Sequence, residues 1–267
     1  MAKTRSIIQI SGKLDGKVHV QGRNGPYMRD LPEKGSKKDE PALKAQYRNT
    51  SFFNTVASEI NKALNAQVYN FIDSTFYLQL LKKFRRVQDH GGSRWLLVRE
   101  VRGMEGDASY PLANMGFIKW KVEPLRRKLQ VILDVYGHPA NKVKSHRVDC
   151  YYYELLLLCW NKTKKPPVMV TTETDWIDLK GGLPLFELTM QPPGGTTHWL
   201  LFIHGRLGKN RECHDIRVAE GLQCVAAGSF DKKEMALAEK RMAGRTVSGK
   251  GGIRTVKKEG VKAKVIR

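Results

Sequence analysis

Apolar residues follow three different patterns along the chain. Between residues 6 and 29 they alternate with polar neighbours in short runs. Ile8 and Ile10 come first, then Val18 and Val20, then Tyr27, with Gly12, Gly16, Gly22 and Gly25 between them. This predicts a small β-ribbon over residues 1–29, and Asn24-Gly25 is a strong tight-turn signal. Residues 30–41 lack periodicity and read as a linker. From 42 to 65, Leu43, Tyr47, Phe53, Val56, Ile60 and Leu64 recur near helical spacing. A second helix is predicted from about Thr75 to Val87. Phe76, Tyr77, Leu80, Leu81 and Phe84 form its stripe, and Asp73 or Ser74 is its cap. The two helices are expected to form a hairpin within a helical region spanning 42–115. Residues 91–115 read as otherwise irregular, apart from the apolar run Trp95-Leu96-Leu97-Val98.

From Phe117 the period drops to two. Leu129, Val131, Leu133 and Val135 alternate with their neighbours, and Tyr151 to Trp160 is one long aromatic and aliphatic strand. Further strands are predicted near 167–173, 185–190, 197–204 and 215–226, separated by Gly, Pro and Asn clusters. About seven short strands at this spacing point to an antiparallel, immunoglobulin-like β-sandwich over 116–230. A helix over 231–243 follows, opened by the capping-box-like Asp231-Lys232-Lys233-Glu234. Residues 244–267 are basic and Gly-rich, and read as a flexible tail. The expected class is α+β: ribbon, helical hairpin, sandwich, helix, tail.

Charge changes the picture. Lys plus Arg number 47 against 26 Asp plus Glu, a net charge of +21. Residues 240–267 hold ten basic groups against Glu259 alone, so +9 sits on this short segment. Residues 151–200 have four basic and five acidic groups. A basic tail can lie along a polyanion and release counterions without reading sequence. The candidate contacts are Arg245, Lys250, Arg254, Lys257, Lys258, Lys262, Lys264 and Arg267. A second cluster, Lys82, Lys83, Arg85 and Arg86, falls at the end of the second predicted helix, where the helix dipole also favours cations.

Most catalytic chemistry is missing from the sequence. Gly244 to Gly251 nearly spells a P-loop, but Gly251 stands where the Mg²⁺-holding hydroxyl belongs. No GxSxG, HExxH or dinucleotide fingerprint appears. The four cysteines, Cys150, Cys159, Cys213 and Cys224, form no CxxC and read as buried, inert thiols. His198, His204, Cys213, His214 and Cys224 are the best metal candidates, yet they match no established ligand spacing. No cofactor is called for. Trp95, Trp160, Trp176 and Trp199 lie in or beside strand patterns and read as core. Trp120, between Lys119 and Lys121, is the candidate for stacking a base. No apolar run approaches the roughly 18 residues of a membrane span, and the opening lacks a signal-peptide core, so the expected location is cytoplasmic.

Three segments carry a resemblance. They are Ile8-Gln9-Ile10-Ser11-Gly12 with Gly16 to Val20 and Asn24 to Arg29, then Arg48 to Phe53, then Gly195 to Trp199. Together they resemble a family of Bacteroidota proteins with a Gly-punctuated N-terminal hairpin. That resemblance implies organisation and assigns no activity. Similar openings occur in phage-type accessory proteins. The expected function is a non-catalytic binding or structural protein that contacts nucleic acid or another polyanion through its tail. The alternative is an accessory component of a phage-like particle or mobile element, with the sandwich making protein contacts or self-associating. A metal-dependent hydrolase around His198 and His204 is third.

Overall fold

The computed structural model describes residues 12–14, 17–22, 25–30, 41–68, 71–87, 93–126, 128–139, 148–161, 166–214, 216–238 and 240. The chain divides into two units, residues 1–48 and 49–267, and helix α1 (Pro41–Gln67) runs through the division. In the first unit, β1 (Gly12–Leu14), β2 (Lys17–Gly22) and β3 (Gly25–Asp30) form an antiparallel sheet in that order. Gly22 pairs with Gly25.

The second unit is built on one central sheet. Its long strands are β6 (Cys150–Asn161) and β10 (Thr196–Lys209). On the outer side of β6 lie β7 (Val168–Glu173) and β8 (Ile177–Asp178). On the outer side of β10 lie β11 (Glu212–Cys213) and β12 (Glu220–Ser229). A separate antiparallel sheet has the order β4 (Phe117–Leu125), β5 (Lys128–Gly137), β9 (Leu185–Met190). The remaining helices are α2 (Phe76–Arg86), α3 (Arg94–Glu100) and α4, residues 232–238. The protein is thus mixed α+β with antiparallel sheets.

The two faces of the central sheet carry different cores. Leu156, Leu158, Trp160, Leu200, Phe202 and Leu222 are buried with Val56, Ile60, Phe84 and Leu97 from α1, α2 and α3. Tyr153, Leu155, Leu157, Trp199, Leu201 and Ile203 are buried with Leu129, Val131, Leu133 and Val135 of β5. Burial on both faces is why Tyr151 to Trp160 reads as an unbroken apolar run: neither face of β6 meets water. Each fully buried large side chain contributes about 1.5–3 kcal/mol. Residues on both sides of position 115 share these cores.

Gly205 of β10 pairs with Gly221 of β12, and a Cβ at either would collide with Met115. This glycine pair lets the 3-10 turn Leu112–Met115 lie directly on the strands.

Four local expectations change. The run Trp95 to Val98 is the helix α3, with Leu96, Leu97 and Val98 buried. At seven residues it is too short for periodicity to show, and tertiary packing holds it. Tyr47, placed on the buried stripe of α1, is exposed. The strand expected from 215 starts at Glu220, because Arg217–Ala219 form a 3-10 turn. Asp73 does not cap α2 with its side chain. Its carboxylate accepts the hydroxyls of Ser74 and Thr75, and Thr75 is the cap residue, without a side-chain bond.

Candidate functional site

The tail residues Arg245, Lys250, Arg254, Lys257, Lys258, Lys262, Lys264 and Arg267 lie outside the described residues, as does the P-loop-like segment. The second basic cluster sits in the last turns of α2. Lys82, Arg85 and Arg86 are exposed, whereas Lys83 Nζ donates to the Glu100 carbonyl at 3.1 Å and satisfies the end of α3.

His198, His204 and Cys213 do not converge. The two histidines share a face of β10, but six residues of strand separate them by about 20 Å. Each belongs to its own network. His204 is buried, with Nδ1 3.3 Å from Glu154 Oε2 and Nε2 3.1 Å from Glu220 Oε2. Arg206 pairs with the other oxygen of Glu220 at 3.3 Å. Burial opposes ionisation of Glu154, but hydrogen bonds from His204 and Gln67 and the charges of His204 and Arg206 outweigh it. Its carboxyl therefore titrates below the ordinary value. Cys213 Sγ instead donates to Tyr152 Oη at 3.5 Å. Among the described residues, no group of three or more His, Cys, Asp or Glu is arranged to hold a metal ion.

The His198 network is a clasp. His198 Nε2 lies 2.9 Å from Glu234 Oε2 on α4, and its Nδ1 lies 2.9 Å from Ser229 Oγ. The other Glu234 oxygen accepts Ser93 Oγ–H at 2.7 Å and the Trp95 backbone N–H at 3.2 Å. Glu234 thereby caps α3, whose own N-cap Ser93 makes no side-chain cap bond. Burial raises the Glu234 carboxyl, but the bonds from His198, Ser93 and Trp95 prevail and bring it down to about 2. Ser229, His198 and Glu234 contact one another in the order of a catalytic triad. However, Ser229 Oγ donates to the Thr197 carbonyl at 2.9 Å and accepts the Asp231 N–H at 3.0 Å. Ser229 Oγ is thus within hydrogen-bond distance of a carbonyl, a backbone amide and the imidazole at once, at the junction of β12 and α4. Only half of the expected capping box forms: Asp231 Oδ1 accepts the Glu234 N–H at 3.2 Å, while the Glu234 side chain serves α3.

The clasp fixes the wall of a cleft of about 480 Å³, in the size range of small-molecule sites. The cleft opens between β4 and β12. Trp95 comes from α3, Trp120 from β4, Trp199 from β10 and Met235 from α4; Arg102 and Lys121 add cations. Residues 225–229 of β12 line it with short side chains, including Ala226, Ala227 and Gly228. Trp199 stands opposite Gly228 in the ladder. A Cβ at 228 would lie 2.7 Å from the indole Nε1 and nearer still to ring carbons, so only glycine lets this indole lie across β12. The buried Trp199 Nε1–H has no hydrogen-bond partner among the described residues. Trp120 is 37% exposed.

Of the cleft residues, Trp120 and its flanking lysines were legible in the sequence. Trp95, Arg102 and Trp199 were not. Trp95 sits in the first turn of α3 and Arg102 just past its end, a placement that becomes visible only once 94–100 is known to be helical. Lys83 and Arg102 both act electrostatically on the buried Cys224 thiol, opposing the burial that pushes it up. No protein family, curated protein or solved structure matches the chain. No helix among the described residues is long and apolar enough to cross a membrane.

Proposed function

We propose that this is a non-catalytic, cytoplasmic nucleic-acid-binding protein that holds its polyanion without sequence specificity through the basic segment 244–267. The observation that carries the reading is the concentration of charge: ten basic groups against one acidic group in residues 240–267. Such a segment gains affinity from counterion release. It begins nine residues after Met235, which lines the cleft, so its contacts and those of the folded body act on one ligand at high effective concentration. The stacked sheets serve in this reading as an immunoglobulin-like scaffold, with helices added on one face. The N-terminal likeness to Bacteroidota proteins belongs to the same proposal and adds no activity to it.

Fluorescence anisotropy of a labelled oligonucleotide tests this. The full chain is expected to bind with affinity that falls steeply between about 50 and 200 mM salt, and deleting 244–267 is expected to abolish most of that binding and flatten the salt dependence. Unchanged binding after the deletion would overturn the reading.

A second reading, the accessory component of a phage-like particle or mobile element, has its own observation. Phe117, Tyr136 and Leu185 are each about half exposed on the outer face of the β4–β5–β9 sheet. A concentration-dependent oligomer in light scattering would support it, and a strict monomer would count against it.

A further inference from the structure

The geometry points to a narrower ligand than a generic polyanion: we infer that the cleft between β4 and β12 seats an unstacked base of a single-stranded nucleic acid. This rests on the nucleic-acid reading above and names the form of the ligand. Three indoles from three separate elements, Trp95, Trp120 and Trp199, line one space of about 480 Å³. The short side chains at 226–228 keep that space open. Aromatic walls with cations at hand are what a nucleotide needs: a π-face for the base and positive charge for its phosphates. A duplex keeps its bases paired and stacked, so it presents only phosphate to such a cleft.

One of the three indoles, Trp199, is packed over Gly228 before any ligand arrives, and the backbone that carries Trp95 is tied to Glu234 through its N–H. Pre-ordering of this kind lowers the entropy cost of binding. Trp120 is partly exposed on an edge strand and supplies the outer wall. Arg102 is exposed and has no carboxylate partner among the described residues. Lys121 pairs with Glu123 at 2.5 Å, but both side chains are exposed, and such pairs are worth too little to withhold the ammonium from a phosphate.

The test uses the full chain with two fluorescein-labelled probes, an oligothymidylate of about twenty nucleotides and a mixed-sequence duplex of the same length, at low salt. Base–aromatic stacking is worth about 1–3 kcal/mol per base. Trp120→Ala is therefore expected to weaken oligothymidylate binding about five- to one-hundred-fold and to leave duplex binding within about twofold of the parent. Arg102→Ala provides a second, exposed position. It is expected to weaken the oligothymidylate and lower its salt slope by about 0.7. If the full chain binds neither probe, the nucleic-acid reading itself fails and takes the cleft with it. If it binds both and neither variant alters single-strand affinity, or both probes weaken equally, the cleft assignment fails alone and the basic segment remains the contact.

Discussion

Glu234 is the residue through which the clasp is best tested. Its carboxylate accepts three hydrogen bonds, from His198, Ser93 and the Trp95 backbone. Glu234→Gln keeps the shape and removes the charge. A hydrogen bond to a charged group contributes about 1.5–3 kcal/mol. Independently, lowering the carboxyl from 4.5 to about 2 corresponds to about 3 kcal/mol of preferential stabilisation of the ionised form. Its side chain is 26% exposed, so solvent screening brings this to about 2–3 kcal/mol. Because the folded-state carboxyl titrates below its unfolded value, the contribution is full above about pH 4.5 and is lost as pH falls toward 2. By pH 3, about 2 kcal/mol of it should be gone. The assay is urea unfolding at fixed pH, followed by tryptophan fluorescence, for parent and variant side by side. Asp73, Asp149 and Glu154 also titrate below their ordinary values, but they are common to both proteins and cancel in the difference. The gap between parent and Glu234→Gln should be about 2–3 kcal/mol at pH 7 and close to 1 kcal/mol or less at pH 3. An equal gap at both pH values, or no gap at pH 7, would refute the ionised clasp.

Two further substitutions probe the other buried contacts. His204→Leu strands Glu154 and Glu220 without their shared partner and should cost about 3–5 kcal/mol in urea unfolding with an unchanged denaturant slope; a loss below about 1 kcal/mol would mean the carboxylates are solvated. Gly228→Ala drives a methyl group into the Trp199 indole and should cost about 1–3 kcal/mol together with a shift in tryptophan emission. An unaltered spectrum and midpoint would show that the indole does not rest there.

Much of the architecture was legible in the sequence because burial on one face leaves a local record. The stripe Phe76, Leu80, Leu81, Phe84 and the alternation Leu129, Val131, Leu133, Val135 both mark buried faces, while Tyr77, read as part of that stripe, is only partly buried. The run from Tyr151 to Trp160 also marked a strand. What it could not say is that helices occupy one side and a second sheet the other, since a residue pattern records that a face is dry and not what dries it. The short helix α3 left no periodic signal at all, because its stability comes from packing and from the Glu234 carboxylate, 140 positions after the residue next to the one it caps, Arg94. Likewise, His198 and His204 looked like possible co-ligands until the fold gave each its own carboxylates. The sequence alone determined where the charge lies and which of the longer segments are helix or strand, since composition and period are local properties. Only the tertiary structure brought Trp95, Trp120 and Trp199 to one cleft, because that meeting depends on which strand edges adjoin and on a glycine at 228 that lets an indole cross its neighbour.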